Sequence, residues 1–355
     1  MYLSSMRSLA LILASSLAAL SLAQDEPKQV IRVAMSPERL AEFAEHTKDH
    51  LGLFDTSTPA FALDAFISPG SRRDPLPAIE SPERVPAKGA TFPPSSDLVV
   101  EVVVDGQAVA YPVSVLTYHG VVNDTIGDTP VAVWFDAISN GLAVFRRDVQ
   151  PARGETTECE FRLAGLLVHG SAALYDARSL TLFSPLDGVG ATGKYAKSPL
   201  TFLPFRVTTF DDFIAVHPSG ETLAKPRGST FDYGVNPFAG YQSDPNFVYM
   251  QVTNDLRVPP KTPGVGVASG DEAHFIPFAA MLEQGRSIMT FDGPFEASLT
   301  PDKTLFIKQA PPGATIAQAY FANWVAAHPT SKVMLAVEVR DLPEESMRKA
   351  NERPR

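Results

Sequence analysis

The chain has 355 residues and a single cysteine, Cys159. One thiol excludes an internal disulfide. Cys159 stands in Glu158-Cys159-Glu160-Phe161-Arg162-Leu163, a strict polar/apolar alternation. That pattern puts Cys159, Phe161 and Leu163 on the buried face of a strand and makes the thiol structural rather than nucleophilic. Positive charge is also scarce. Thirty Lys and Arg against 40 Asp and Glu leave a net charge of −10, which repels a phosphate backbone and excludes nucleic acid as a partner. No glycine loop of the phosphate-cradling type is present. Gly188-x-Gly190-x-x-Gly193 has the dinucleotide spacing, but no helical pattern follows it. The Gly-x-Ser-x-Gly elbow is missing too, and His169-Gly170-Ser171 reads as a turn between two strands. Beyond the N-terminus no apolar run is long enough to span a membrane. Residues 163–175 come closest, broken by His169 and Gly170. Proline, in contrast, is abundant, at 31 residues. It breaks helix interiors, so the count favours short strands and many turns.

The N-terminus is the clearest local signal. Arg7 precedes an apolar stretch over 9–20, then Ser21-Leu22-Ala23 and the polar Gln24-Asp25-Glu26. This is the layout of a cleavable signal peptide over 1–23. The apolar core is shorter than the ~20 residues a membrane-spanning helix needs. Residue 24 is Gln rather than Cys, which argues against a lipid anchor. The expectation is a protein exported to the periplasm or secreted, with no transmembrane segment after signal removal.

The rest divides into a leader region, 24–95, a first β-rich half, 96–226, a second, shorter half, 227–341, and a charged tail, 342–355. Ser36-Pro37-Glu38 opens a helix expected to run to about residue 50. A β-branched run over 99–104, Asp105-Gly106, and a return over 108–111 make a hairpin. Further strands are expected at 130–136, 142–147, 159–167, 171–176 and 201–206. The fold class is mainly β with short helices, α+β being the alternative. Three segment pairs recur in order: 107–113 with 272–278, Trp134-Phe135-Asp136 with Thr290-Phe291-Asp292, and 213–218 with 324–329. They predict two diverged repeat halves. The offset shrinks by nine residues between the first two pairs, as if the second half lacked a segment like 121–129.

Several of these segments carry a family resemblance. They are Tyr111-Pro112 through His119, Val122-Asn123-Asp124-Thr125, Pro130-Val131-Ala132-Val133, Gly165-Leu166-Leu167, Tyr175-Asp176, Pro204 and His217-Pro218. Tyr233-Gly234, Pro237-Phe238-Ala239-Gly240-Tyr241 and Pro259-Pro260-Lys261 continue the series. The chain thereby resembles the bacterial and archaeal family of domain of unknown function 3179, over about 74–333. The resemblance implies an exported or membrane-anchored protein and no established activity. Family members carry Tyr-Cys-Pro-Leu-Cys-Gly where this chain has Phe135-Asp136-Ala137-Ile138-Ser139-Asn140. Asp136 and Ser139 replace the cysteine pair, so thiol chemistry is out of reach here. Gly120 stands where the family has Glu.

The candidate site gathers short polar residues around two apolar strands: His119, Asn123, Asp124, Asp136 and Ser139. His119 with Asp124 and Asp136 could hold a divalent metal ion, or His119 and Asp124 could act as acid–base catalysts. The competing reading makes 123–125 and 127–128 simple turn formers. His217 and His328 each follow an aromatic residue by four positions, behind Thr209-x-x-Asp212 and Thr315-x-x-Gln318, which read as capping boxes. Both histidines are expected to pack. Glu42, His46 and His50 have zinc-like spacing but read as a solvated helix face. Two functions stay open. One is a non-catalytic exported binding or structural module using the groove between halves. The other is a metal-binding protein or a metal-dependent or acid–base enzyme using His119, Asp124 and Asp136.

Overall fold

The computed structural model describes residues 32–250, 252–284, 287–291, 293–301 and 304–335. The expected signal peptide and charged tail lie outside them. Strands dominate, and among the described residues the longest helix, Ala44–Leu51, has 8 residues. No described helix is long and apolar enough to cross a membrane.

Three sheets stack in layers. Sheet I has eight strands in the order Ser287–Phe291, Gly293–Leu299, Leu305–Gln309, Phe205–Thr209, Leu98–Val104, Gln107–Pro112, Glu221–Leu223, Arg84–Pro86. Sheet II has eight in the order Lys332–Val333, Glu272–Pro277, Pro263–Ser269, Thr315–Tyr320, Gly141–Arg146, Thr129–Asp136, Val121–Ile126, Ile79–Glu80. Sheet III has five, from Val189–Gly190 through Leu182–Ser184, Ser171–Asp176 and Phe161–Val168 to Phe66–Ile67. Side chains alternate across each strand. Val100 and Tyr111 of sheet I therefore meet Val122, Val133 and Val265 of sheet II in one core. The opposite face of sheet II, with Trp134 and Phe145, packs on Phe161 and Phe183 of sheet III and on Trp324. Sheet II is thus buried on both faces, which is why its strands read as nearly continuous apolar runs.

The order of elements recurs along the chain. An antiparallel strand pair leads into the helix Val113–His119, and another into Phe278–Gln284. Later the strand Phe205–Thr209, the helix Phe210–Val216 and the strand Glu221–Leu223 follow one another, with the last parallel to Gln107–Pro112. Thr315–Tyr320, the helix Phe321–Ala327 and Lys332–Val333 do the same beside Glu272–Pro277. The strands interleave. Sheet I takes three of its strands from 227–341, and sheet II takes three from 96–226. Strands of the leader region edge all three sheets.

The Asp105-Gly106 hairpin forms as expected, with Val104 opposite Gln107 and both turn residues at positive φ, 48° and 79°. Other expectations are corrected. The helix after Ser36 breaks at Phe43 into Pro37–Glu42 and Ala44–Leu51. Glu42 and His46 are exposed, but His50 is buried with its Nδ1 3.1 Å from Ser68 Oγ. The solvated face therefore ends before His50. Thr209 does cap its helix, accepting from Asp212 N at 3.2 Å. Thr315 does not. It starts a strand whose pairing with Pro263–Ser269 outweighs the local capping pattern. The strand expected over 201–206 begins at Phe205, because Pro204 has no N–H to offer a ladder. Finally, Phe291 ends the first strand after the helix Phe278–Gln284, whereas Asp136 ends the second strand after the helix Val113–His119. The two segments are not equivalent positions, and the nine-residue difference does not mark a missing strand.

Candidate functional site

His119 ends the helix Val113–His119 and is 5% exposed. Its Nδ1 lies 2.7 Å from the carbonyl oxygen of Pro77, and its Nε2 lies 2.7 Å from the Tyr233 hydroxyl. A carbonyl only accepts, so Nδ1 carries the proton and Nε2 accepts from Tyr233. Phe231 meets the imidazole edge-on, at 5.6 Å between centroids. Burial holds the pKa of His119 below its ordinary value. The ring is a neutral strut between the leader region and 229–233. The next residue, Gly120, has φ 71°, and a Cβ there would come within 2.5 Å of Leu163 Cδ1. Glycine is therefore the residue this packing admits.

Asn123 and Asp124 are neighbours on the strand Val121–Ile126, so their side chains leave opposite faces of sheet II. Asn123 Nδ2 donates to the Phe161 carbonyl at 2.8 Å, and its Oδ1 accepts from Phe161 N at 2.9 Å. One side chain thus mimics a strand neighbour and ties sheet II to sheet III. Asp124 points the other way. Its Oδ2 accepts from the Tyr111 hydroxyl at 2.8 Å, and its Oδ1 from Thr125 N at 2.7 Å. Arg84 Nη1 stands 3.7 Å from the same carboxylate. Asp124 therefore ties sheet II to sheet I. Residues 123–125 are strand rather than turn, which corrects the turn-former reading for them, whereas Gly127 and Asp128 do form the turn into the next strand.

Asp136 closes the strand Thr129–Asp136 and is 8% exposed. It accepts from Ser139 Oγ at 2.7 Å, Ile138 N at 3.0 Å and Ala172 N at 2.9 Å. Burial raises its pKa, and these hydrogen bonds oppose the rise. Asp136 and Ser139, the two positions that replace the cysteine pair, do come together. Asp124 and Asp136 do not. Asp124 faces Val131 in the ladder, five residues from Asp136. At ~3.4 Å rise per residue that is ~17 Å, too far to share a cation. Among the described residues no group of three or more His, Cys, Asp or Glu is arranged to hold a metal ion.

Other motif segments converge below the Asp136–Ser139 turn. Tyr241 donates from its hydroxyl to the Ile138 carbonyl at 3.1 Å. Lys261, 7% exposed, donates to the carbonyls of Tyr241 and Asp244, and its Nζ sits 3.8 Å from the Tyr241 ring centroid. Burial lowers the Lys261 pKa and pushes Tyr320 beside it up to about 12. A cavity of about 10 Å³ between them has room for one water.

Sequence reasoning missed two structural cations. Lys261 carried only family likeness, and Arg147 read as a strand end. Arg147 is buried and donates to the carbonyls of Asp124, Val131 and Cys159. Those acceptors come from three strands or strand ends, so no local pattern could have marked it. Cys159 itself is buried, with its thiol pushed up to about 12, as a structural residue should be. His328 packs on Trp324 at 4.2 Å and lies 2.8 Å from the Leu186 carbonyl.

The chain is thus a three-layered, β-rich protein whose best polar candidates join its layers. It belongs to the family described as "Protein of unknown function (DUF3179)", whose model matches residues 73–349. No curated protein and no solved structure matches it.

Proposed function

We propose that the chain is an exported, non-catalytic binding or structural module built from two diverged copies of one half. One observation carries the non-catalytic part. His119, Asn123, Asp124, Asp136 and Ser139 are each 8% exposed or less, and their polar atoms are spent on other parts of the fold. A general base must reach a proton on its substrate, and these groups face backbone and tyrosine. The duplication is supported by the recurring order of strand pair, helix, strand, helix and parallel strand. Export to the periplasm or medium rests on the pattern of residues 1–23. The alternative, a metal or acid–base centre on His119, Asp124 and Asp136, needs these residues to converge, and the ~17 Å along the strand opposes that.

The test has two parts. Protein purified from its native compartment is expected to be metal-free, with a Tm that added divalent ions leave unchanged. His119→Gln and Asp136→Asn are expected to lower stability while leaving any ligand affinity of the folded protein intact. Stoichiometric metal, or loss of an activity in a folded His119→Gln protein, overturns the reading.

A further inference from the structure

The strand Glu221–Leu223 is joined to the strand Phe247–Met250 by a long connection. Backbone pins both of its ends. Ala224 N donates to the Glu83 carbonyl at 2.9 Å, and the Asn246 carbonyl accepts from Arg32 N at 2.7 Å. Beyond Asn246, Phe247–Met250 pairs in parallel with Arg32–Met35. Between these pins, residues 225–245 make no backbone–backbone hydrogen bond to another segment among the described residues. Their backbone bonds are local, as in the short helix Ala239–Ser243. A typical connection has ~4–6 residues, and much longer ones are commonly functional. The outer side is open. Most of 225–240 is exposed, and a Cβ at Gly228 or Gly240 would meet nothing within 4 Å.

Side chains tie this segment to the body at two places. Near its start, the Tyr118 hydroxyl donates to the Val235 carbonyl at 2.8 Å and the Tyr233 hydroxyl to His119 Nε2 at 2.7 Å. Phe231 stacks on Tyr118 there, at 4.9 Å between centroids. Near its end, Tyr241 donates to the Ile138 carbonyl and Gln242 Nε2 to the Ala137 carbonyl at 3.4 Å. Lys261 donates back to the carbonyls of Tyr241 and Asp244. A side-chain hydrogen bond is exchanged for one to water at little net cost. A segment held this way opens at a lower free energy than the laddered strands beneath it.

We propose that residues 225–245 are a lid that swings about Ala224 and Asn246 while the three sheets stay folded. Opening removes the donor from His119 Nε2 and both carbonyl acceptors from Lys261, and it uncovers Ala137 and Ile138 beside Asp136. Polar groups spent on the fold in the closed form then face solvent and whatever ligand enters. The inference concerns access and does not rest on the binding-module reading.

The single native cysteine makes the test clean. Cys159 is 1% exposed in the core between sheets II and III, so its reaction with dithionitrobenzoate reports unfolding of the body. Ala137 is 5% exposed in the same core cluster as Tyr233, so the thiol introduced by Ala137→Cys reports the lid. That thiol is expected to react at least ~100-fold faster than Cys159 and at least ~tenfold slower than free cysteine, as sub-global opening requires. Adding Tyr233→Phe or Tyr241→Phe, which removes one tie and keeps the ring, is expected to speed it at least threefold without changing the Cys159 rate. A rate equal to that of Cys159 or of free cysteine, or one that neither tyrosine variant changes, would overturn the lid. Acetylation of Lys261, followed by mass spectrometry, asks the same of the protein without the added thiol. It is expected to outpace Cys159 labelling and to rise in Tyr241→Phe; Lys261 modified only at the Cys159 rate in both proteins would overturn the lid as well. A lid that stays shut leaves the non-catalytic reading standing, because that reading falls on bound metal or on the His119→Gln result instead.

Discussion

Burial at single residues decides how this protein responds to pH. His50, His119, His274 and His328 are all shifted below the ordinary value of 6.5, with desolvation the largest cause in each. A folded pKa below the unfolded one means the unfolded chain binds the proton more readily. The stability these groups contribute is full above pH 6.5 and is lost as pH falls through the lowered folded values. Asp136 acts with the opposite sign. Its pKa is raised, so its burial cost is relieved on acidification, and stability from it is lost as pH rises above 3.8. A thermal-melt series is expected to show Tm falling from pH 7.5 toward 5.5, with a shallower slope for His119→Gln. An unchanged slope in that variant would remove His119 from the account. The burial of Cys159 was legible in sequence from its alternation with Phe161 and Leu163, although the strand itself begins only at Phe161. His50 was not, because Ser68, its partner, lies 18 residues away on another element.

At the level of elements, the Asn-Asp pair is the informative case. Strand periodicity sends Asn123 and Asp124 to opposite faces, and each face happens to have a layer to grip. Asn123→Ala would leave the N–H and C=O of Phe161 buried and unpaired. An unsatisfied buried group costs ~1–3 kcal/mol, so a loss of about 2–4 kcal/mol is expected in urea unfolding, with little change in m-value. A cost below about 0.5 kcal/mol, typical of a neutral surface change, would show that the two sheets do not depend on this clamp. The sequence marked 123–125 as special but misread it as a turn. Asn and Asp are turn formers on average, and only the sheets above and below explain them in a strand. The same competition defeated the capping box at Thr315, where a six-residue ladder outweighed one side-chain cap.

The whole molecule is set by interleaving. Because each eight-stranded sheet draws strands from both halves, neither 96–226 nor 227–341 can complete either of these two sheets alone. Each half expressed separately is expected to lack cooperative unfolding and near-ultraviolet circular dichroism, while the two together regain both. An independently folded half would contradict the interleaved topology. The sequence by itself determined what depends on neighbours a few residues apart: strand periodicity, the Asp105-Gly106 turn, the burial of Cys159, the family, and the scarcity of thiol and positive charge. The tertiary structure alone decided which strands meet and therefore what the polar residues do. Hydrogen-bond partners such as Asn123 with Phe161, Arg147 with Asp124, and Lys261 with Tyr241 are brought together only by folding. The force that assembles them, apolar burial, is non-directional and leaves no pairing code in the local sequence.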